Sequence, residues 1–304
     1  MSTSATPSSH QKTILVAVDF STGSRAALEH AIRLAAQKGM RLHVLHVVDS
    51  VSLALLAERH HETYESAVHT ATLSGRKALK TWLAQSPMPG SYDETLVIGH
   101  PLHEILEHAK SMRADLLVAG IAGVGGNTLG AGSTASKLTR KSSCDILLVR
   151  SGHPQPFQRL IAALDFSSLT KSIVQATRDL ALAESAEVDW LHIWSDPGQF
   201  MPVIGPLGES GFTTLPVDAT KIDEQLRQQL HEQVQAASAG LKTNEVLCED
   251  SRVGHGIAQH AEACGADLIV LGAHGHSALH YVLLGSTPER LLTRLTCSML
   301  VVKK

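Results

Sequence analysis

The sequence predicts an α/β protein made of two copies of one domain, each with a parallel sheet. Continuous β-rich apolar runs, such as residues 13–21, fit buried parallel strands better than alternating surface strands. Segments with apolar residues at helical spacing lie between these runs, which is typical of βαβ units. The same series of elements occurs twice along the chain. Together these features predict two tandem α/β domains.

In the first half, Ser21-Thr-Gly-Ser24 offers N-cap chemistry directly after the first strand. Small and apolar residues then recur at helical spacing up to Gly39. A long helical region at roughly 52–86 is expected between the second and third strands. The predicted strands of this half are residues 13–21, 41–48, 94–98, 115–119 and 146–150.

The second half repeats this order with one insertion. Residues 196–211 are rich in glycine and proline and contain several large apolar side chains, which fits an ordered surface loop, a mobile loop or a contact surface. Helices are predicted near 169–185 and from about 220 to 241. The predicted strands are residues 160–167, 188–194, 245–249, 267–271 and 300–303.

The repeat is visible at single positions. Asp19 and Asp165 are separated by the same number of residues as His46 and His192, and glycines and cysteines match further along. A separation that drifts by only a few residues over half the chain indicates a duplicated domain with small insertions. The predicted domains are 1–150, with a polar leader at 1–11, and 151–304, with the boundary in the polar stretch 151–156.

Composition narrows the function classes. The 304 residues are 43% hydrophobic and 18% charged, with a formal net charge of -3, and no Lys/Arg run suggests nucleic-acid or acidic-lipid binding. Only 4% are aromatic, so the core must consist mainly of Ala, Leu, Val and Ile. Four cysteines without Cys-x-x-Cys spacing argue against a zinc site or a disulfide framework. A polar N-terminus and the lack of long apolar runs predict a soluble cytoplasmic protein.

A glycine loop near the C-terminus is the strongest candidate for ligand binding. An apolar run ends in Gly272, Gly275 follows, and Gly285 precedes Ser286 and Thr287 at the start of a predicted helix. A strand, a glycine loop and a helix start present backbone N–H groups to a phosphate. The spacing Gly-x2-Gly-x9-Gly-Ser matches neither a Walker A motif nor a dinucleotide-binding fingerprint.

Four features, present in both halves, resemble the universal stress protein family. They are an apolar strand ending in Asp-x-Ser, a second strand with His-Val or His-Ile, Ala-Asp-Leu at the fourth strand, and the glycine loop before the last helix. The resemblance covers the whole tandem. It implies five-stranded parallel sheets of order 3-2-1-4-5, with helices on both faces and ATP at the carboxyl ends of the strands. It also implies pairing of the last strands, which would join the two domains as an intramolecular pseudo-dimer; a homodimer between chains stays open.

The resemblance further implies the ligand and its residues. The ligand is ATP, with or without Mg²⁺, and AMP and ADP remain open. Glycines let the backbone approach the phosphates, and hydroxyls donate to them. In the second half the implied residues are Ala163, Asp165, Ile193, Gly272, His274, Gly275, Gly285, Ser286 and Thr287. In the first half they are Ala17, Asp19, Val47, Gly120, Gly123, Gly132, Ser133 and Thr134.

The two loops differ. The first-half loop is one residue shorter, has Ala122 in place of His274, and contains the extra glycines Gly125, Gly126 and Gly130. Greater backbone freedom makes an ordered site costlier to form. The second-half loop is therefore the preferred nucleotide site, and the first-half loop is its altered copy.

Several candidate residues also have a structural interpretation. Asp19 and Asp165 could cap the helices that follow them. His46 and His192 are expected to pack or hydrogen-bond in the core rather than bind metal. The remaining histidines, including His255 and His260, lack the paired spacing of a zinc site, so we predict no metal ligands.

The predicted function is that of a nucleotide-dependent regulator in the stress response. The loops contain no lysine and no second carboxylate beside the expected γ-phosphate, so no catalytic residues are predicted. Slow ATP hydrolysis or self-phosphorylation at Ser286 or Thr287 stays a hypothesis. The alternatives are an adenine-nucleotide hydrolase or adenylating enzyme of the same superfamily, whose Ser-Gly-Gly-x-Asp-Ser loop is lacking, and a nucleotide-free scaffold with an unknown protein partner.

Overall fold

The computed structural model describes residues 11–122, 131–152, 156–195, 219–274 and 286–304. The chain divides into two compact units between Ser151 and Gly152. The domain boundary predicted at residues 150 and 151 stays a prediction, as does the pseudo-dimer. The leader and the insertion at 196–211 lie outside the described residues.

The first domain alternates strands and helices from start to end. Its strands are β1 (Thr13–Val18), β2 (Arg41–Asp49), β3 (Asp93–Gly99), β4 (Leu116–Gly120) and β5 (Asp145–Val149). Its helices are α1 (Thr22–Lys38), α2 (Ser50–Arg59), α3 (Tyr64–Leu83), α4 (Pro101–Ser111) and α5 (Ser133–Lys141). The strands lie in the order β3-β2-β1-β4-β5, and each pairs with its neighbour in parallel.

The second domain repeats this arrangement. Its strands are β6 (Arg159–Ala163), β7 (Glu187–Trp194), β8 (Thr243–Glu249), β9 (Leu268–Gly272) and β10 (Ser298–Val302). Its helices are α6 (Thr170–Glu184), α7 (Ala219–Ser238), α8 (Val253–Cys264) and α9 (Ser286–Arg294). The order β8-β7-β6-β9-β10 is the same as in the first domain, again with parallel pairs. The predicted doubly wound α/β fold of order 3-2-1-4-5 is confirmed.

Two helix layers flank each sheet. Right-handed crossovers put the helices after the first two strands on one face and the later helices on the other. Accordingly, α1 contacts α3 through Arg25, whereas α4 contacts α5, and α8 contacts α9 in the second domain. Because the sheets are covered on both faces, every residue of β1 and the three middle residues of β6 are buried.

The helical region predicted at 52–86 is in fact two helices. Residue His61 adopts a left-handed conformation (φ 54°), and Thr63 starts α3 by accepting a hydrogen bond from the Ser66 N–H at 3.2 Å. Such side-chain capping satisfies an otherwise unpaired helix amide. The last strand also begins earlier than predicted, at Ser298.

The core consists mainly of aliphatic residues, as the composition predicts. Trp190 and Phe157 are the largest fully buried side chains of the described residues. The Trp190 indole N–H donates to Ser238 Oγ at 2.9 Å, so its polar atom is satisfied within the second domain. No helix in the described part of the chain is long and apolar enough to cross a membrane.

Candidate functional site

A cavity of about 550 Å³ lies at the carboxyl ends of the strands in the first domain. It lies beside β1, which has β2 on one side and β4 on the other. The strand order reverses at β1, and open α/β sheets bind ligands at such switch points. Its volume is in the range of small-molecule sites. The lining includes every described first-domain residue that the resemblance implies: Ala17, Asp19, Val47, Gly120, Gly132, Ser133 and Thr134.

The lining changes in character along the sheet edge. On the β2 side the wall is apolar and includes Leu45, Val47 and Ile105. Asp19 follows β1 in the middle, and on the β4 side the wall consists of glycine backbone and the hydroxyl residues of α5. An apolar wall, a central carboxylate and a polar wall of backbone and hydroxyl groups thus follow one another along the sheet.

Asp19 stabilises the turn between β1 and α1. Its Oδ1 accepts hydrogen bonds from the Ser21 N–H at 3.1 Å and from the Ser21 hydroxyl at 2.5 Å. Ser21, not Asp19, is the N-cap of α1, because its Oγ accepts from the Ser24 N–H at 3.1 Å. The capping alternative for Asp19 is therefore wrong, and its exposed carboxylate remains at the cavity wall.

The same turn occurs in the second domain. Asp165 Oδ1 accepts from the Ser167 N–H at 3.0 Å, while α6 begins after Leu169 without a side-chain cap. Asp165 does not cap its helix either. Both aspartates therefore hold a tight turn at the end of the first strand of their domain.

An aromatic residue in a left-handed conformation follows each aspartate. Phe20 has φ 65° and Phe166 has φ 59°, a conformation that is costly for residues other than glycine. The Phe20 ring lies 4.2 Å from the His46 ring, and the Phe166 ring lies 4.2 Å from that of His192. Ring packing thus supports a strained turn that directs the backbone around the site.

The strand histidines His46 and His192 hydrogen-bond to the backbone just before this turn, in agreement with the prediction that they have a role in the core. His46 Nδ1 donates to the Val18 carbonyl at 2.8 Å, and His192 Nδ1 donates to the Leu164 carbonyl at 2.7 Å. Burial, opposed by these backbone bonds, lowers the pKa of both histidines. Each imidazole is therefore a neutral donor at neutral pH, with its proton on Nδ1.

Two glycines allow close contact between α1 and β4. A Cβ on Gly23 would lie 2.3 Å from the Ala122 carbonyl oxygen, and a Cβ on Gly120 would lie 2.7 Å from the Gly23 carbonyl carbon. Both contacts involve backbone atoms that cannot rotate away. Gly120 is thus required for close packing beside the cavity, and Gly23 is a positioning residue that the sequence did not single out.

Helix α5 begins at the cavity wall. Gly132 is its N-cap, with no side-chain cap, and Ser133 and Thr134 form its exposed first turn. The Gly132 N–H is bonded to the Ile121 carbonyl at 2.8 Å, which fixes the start of the helix. Arg140 and Lys141 lie in the last turn, the favourable end for cations. The first turn therefore offers amides, hydroxyls and a positive dipole to an anion.

The second domain brings the ends of its first, second and fourth strands together in the same way. Ala163 ends β6, Asp165 follows it, Ile193 lies in β7, and Gly272 ends β9, which is adjacent to β6. His274 is exposed, and Thr287 lies in the first turn of α9. Gly275 and Gly285 lie outside the described residues, as does Gly123 of the first domain, and the side chain of Ser286 is not described. The preference for the second-domain loop thus stays a prediction.

Leu169 is the main difference between the two sites. It occupies the position of Gly23 in the repeat, is 9% exposed, and its Cδ1 lies 3.1 Å from where a Cβ on Gly272 would be. An apolar side chain therefore packs against the second-domain glycine where the first domain has bare backbone. The two domains are not interchangeable at this point.

Other candidate residues have structural roles. Pro101 occupies the first turn of α4 after His100, a position where a helix does not need the missing N–H. Cys144 and Cys297 are buried free cysteines, and burial raises the pKa of the Cys144 thiol. In the second domain, Asp250 accepts from the Arg252 N–H at 2.7 Å and lies 2.6 Å from His255 Nδ1.

A model of the universal stress protein family matches the chain twice, over residues 11–150 and 156–303. The chain belongs to the universal stress protein family. This agrees with the Asp-x-Ser turns, the strand histidines and the 3-2-1-4-5 sheets, which recur in both domains.

Individual universal stress proteins match either one domain or the whole tandem. Universal stress protein YxiE of Bacillus subtilis is 32% identical over 144 residues, which cover 45% of this chain and 97% of that protein. A universal stress protein of Mycolicibacterium smegmatis is 26% identical over 301 residues, covering 95% of this chain and 96% of that one. The crystal structure of a universal stress protein from Archaeoglobus fulgidus has a TM-score of 0.63 at 16% identity and covers 96% of this chain and 98% of its own.

Proposed function

We propose that this universal stress protein binds an adenine nucleotide, ATP or its products ADP and AMP, at the carboxyl edge of its sheets. The observation that supports the proposal is the order of the cavity wall in the first domain: apolar β2 side, Asp19, then glycine backbone and the first turn of α5. This order matches a base, a ribose and a phosphate chain laid along the sheet edge.

Each part of the wall suits one part of a nucleotide. Leu45, Val47 and Ile105 offer an apolar surface to a flat base. The Asp19 carboxylate is fixed by Ser21 and accepts hydrogen bonds from ribose hydroxyls. The amides and hydroxyls of Ser133 and Thr134, with the helix dipole, favour a phosphate.

The same wall favours a regulator over a fast enzyme. Asp19 is the only carboxylate, and no lysine occurs, among the described residues that line the cavity. Fast phosphoryl transfer uses several groups to hold Mg²⁺ and to stabilise the transferred phosphoryl. We therefore propose a cytoplasmic stress-response protein that changes its interactions with nucleotide state. A hydrolase or adenylating enzyme and a nucleotide-free scaffold are the alternatives that the experiments below would reveal.

Nucleotide binding is tested by calorimetry with a variant that spares the fold. A Cβ on Gly132 would make only an ordinary contact, 3.4 Å from the Ile121 carbonyl oxygen, so Gly132→Val should fold while adding bulk to the wall. We expect the first-domain site to lose at least about 100-fold in affinity for ATP, roughly 2.7 kcal/mol. The matched control is Gly90→Val, at an exposed glycine with nothing near its Cβ position.

The outcomes separate the alternatives. Binding of no adenine nucleotide by the unmodified chain would favour the scaffold. Release of ADP, AMP or pyrophosphate at enzymatic rates during incubation with Mg-ATP would favour the hydrolase or adenylating enzyme. Incubation with labelled ATP, followed by mass spectrometry for phosphoserine or phosphothreonine, tests self-phosphorylation.

A further inference from the structure

The second domain has a cluster of three potential metal ligands at the edge of the sheet opposite the nucleotide site. Asp189 is near the start of β7, and His260 and Cys264 lie one turn apart near the end of α8. The Asp189 carboxylate, the His260 imidazole and the Cys264 sulfur each have a potential ligand atom within 4.8 Å of the other two. His260 and Asp189 are 71 residues apart in sequence, so only the fold brings them together.

We propose that Asp189, His260 and Cys264 bind one divalent zinc ion. Carboxylate, imidazole and thiolate are the three ligand types that zinc prefers, at about 2.0–2.3 Å. Tetrahedral coordination at these distances puts ligand atoms roughly 3.3–3.8 Å apart. The observed spacing therefore requires only small side-chain adjustments, and the fourth position stays open to water or another ligand.

The cluster is already oriented as a ligand set. Asp189 is 5% exposed, its Oδ2 lies 2.9 Å from His260 Nε2, and its Oδ1 accepts from Asn244 Nδ2 at 2.8 Å. Asn244 lies opposite Asp189 in β8 and holds the carboxylate in place. Such outer hydrogen bonds typically orient metal ligands.

Charge and access also fit a divalent ion. The Asp189 carboxylate and a Cys264 thiolate together neutralise a charge of +2. The nearby Arg159 guanidinium is bonded to Glu187 at 3.0 Å and to the Cys264 carbonyl at 3.2 Å, and Glu187 also pairs with Lys242. His260 and Cys264 are partly exposed, which leaves a route for the ion.

The surroundings of Cys264 favour the protonated thiol when no metal is bound. Burial, then the Asp189 charge, raises the pKa of Cys264, so metal binding must release a proton. This also argues against a freely reactive cysteine, because the thiolate is the nucleophile. Redox-active thiols typically have a lowered pKa, whereas that of Cys264 is raised.

The repeat provides an internal comparison. The positions that match Asp189, His260 and Cys264 in the first domain are His43, His108 and Met112. His43 Nε2 instead lies 2.9 Å from Thr95 Oγ1, and His108 Nδ1 donates to the Glu104 carbonyl at 2.7 Å. The first domain therefore lacks both anionic ligands, and the proposed site belongs to the second domain alone.

From the sequence, His255 and His260 together lack the spacing of a zinc site, and no metal ligands are predicted. These two residues belong to different contacts, since His255 faces Asp250 and His260 faces Asp189. The cluster lies near the C-terminal end of α8, while the start of this helix is at the nucleotide edge. Along the axis of α8, His260 and Cys264 lie roughly 10–17 Å from the first residue of the helix. Metal binding and nucleotide binding can be tested separately.

Cobalt provides the decisive test because it reports on its ligands. The tag-free full chain, reduced and stripped with a chelator, is titrated with Co²⁺ without oxygen. We expect tetrahedral visible bands and a thiolate-to-cobalt absorption in the near ultraviolet, both saturating at one ion per chain. Added Zn²⁺ should bleach the spectrum. Absence of the thiolate absorption in the unmodified chain would overturn the proposal.

Variants assign the ligands. Cys264→Ser should abolish the thiolate absorption, and each of Cys264→Ser, Asp189→Asn and His260→Gln should weaken zinc at least about 100-fold in chelator competition. Asn244→Ala should keep the absorption but weaken zinc by about 10–100-fold, as expected for a residue that only positions a ligand. Cys248→Ser and His255→Gln, outside the cluster, should bind like the unmodified chain.

Zinc should raise the melting temperature of the unmodified chain and leave that of Cys264→Ser unchanged. This comparison tests whether Cys264 is a zinc ligand in the folded protein. A thiolate absorption that persists in Cys264→Ser, or that disappears in Cys248→Ser, would overturn it.

Discussion

At the scale of single residues, the buried histidine of α1 gives the fold a dependence on pH. His30 is 1% exposed, and Arg33 Nη2 lies 2.7 Å from its Nδ1. Burial, followed by the charge of Arg33, lowers the pKa of His30 to about 3. The native state therefore binds fewer protons than the unfolded chain at acidic pH. The contribution of neutral His30 to the free energy of unfolding is complete above pH 6.5 and is lost as the pH falls towards 3.

The variant His30→Gln should remove this dependence, because the glutamine oxygen can accept from Arg33 and does not titrate. Between pH 7 and pH 5, we expect the unmodified chain to lose about 2 kcal/mol more unfolding free energy than His30→Gln. Urea unfolding at both pH values measures the difference. His103→Gln, at an exposed histidine of α4, should behave like the unmodified chain; equal slopes for all three proteins would contradict the assignment.

At the scale of elements, Arg25 joins α1 to α3. Its guanidinium lies 3.6 Å from the centre of the Trp82 ring and donates to Ser86 Oγ at 2.6 Å and to the Trp82 carbonyl at 3.0 Å. A planar guanidinium can stack face to face on a ring while its five N–H groups donate in its own plane, a geometry that an ammonium lacks. This contact lies beside the turn that contains Phe20, whose ring is 5.6 Å from that of Trp82.

Arg25→Met should therefore destabilise the chain by about 1–2 kcal/mol, with allowance for the exposure of the side chain. Arg25→Lys should recover less than half of this loss. Denaturant unfolding at neutral pH measures both values. Arg76→Met, at an exposed arginine of α3, is the matched control. An equal loss of stability at both positions would contradict the proposed role of Arg25 in joining α1 to α3.

Elements and their order could be predicted well from the sequence, whereas close contacts between them could not. Apolar runs such as β1 and the repeated Asp-x-Ser turns are local patterns, so they predict strands and their sequence. The contact of Gly23 with the Ala122 carbonyl depends on how α1 packs on β4, which no local pattern contains. Asp189 and His260 were missed for the same reason. The break before α3 did have a local pattern, the capping threonine Thr63.

At the scale of the whole molecule, the tandem contains two related sites with different walls. The first has Gly23 against Gly120, and the second has Leu169 against Gly272. The first-domain loop also contains Gly125, Gly126 and Gly130. Ordering the three extra glycines costs roughly 1.5–3 kcal/mol in total, so the second site should bind nucleotide more tightly by at least about tenfold.

Calorimetric stoichiometry tests this difference across the whole chain. We expect two adenine nucleotides per unmodified chain, one in Gly132→Val, one in Gly285→Val and none in the double variant, because each substitution adds bulk to one loop. The nucleotide retained by Gly132→Val should be the tighter one, since it occupies the second domain. Gly90→Val should keep both. If Gly285→Val retained the tighter nucleotide instead, the first domain would be the principal site, and the glycine content of its loop would not limit binding.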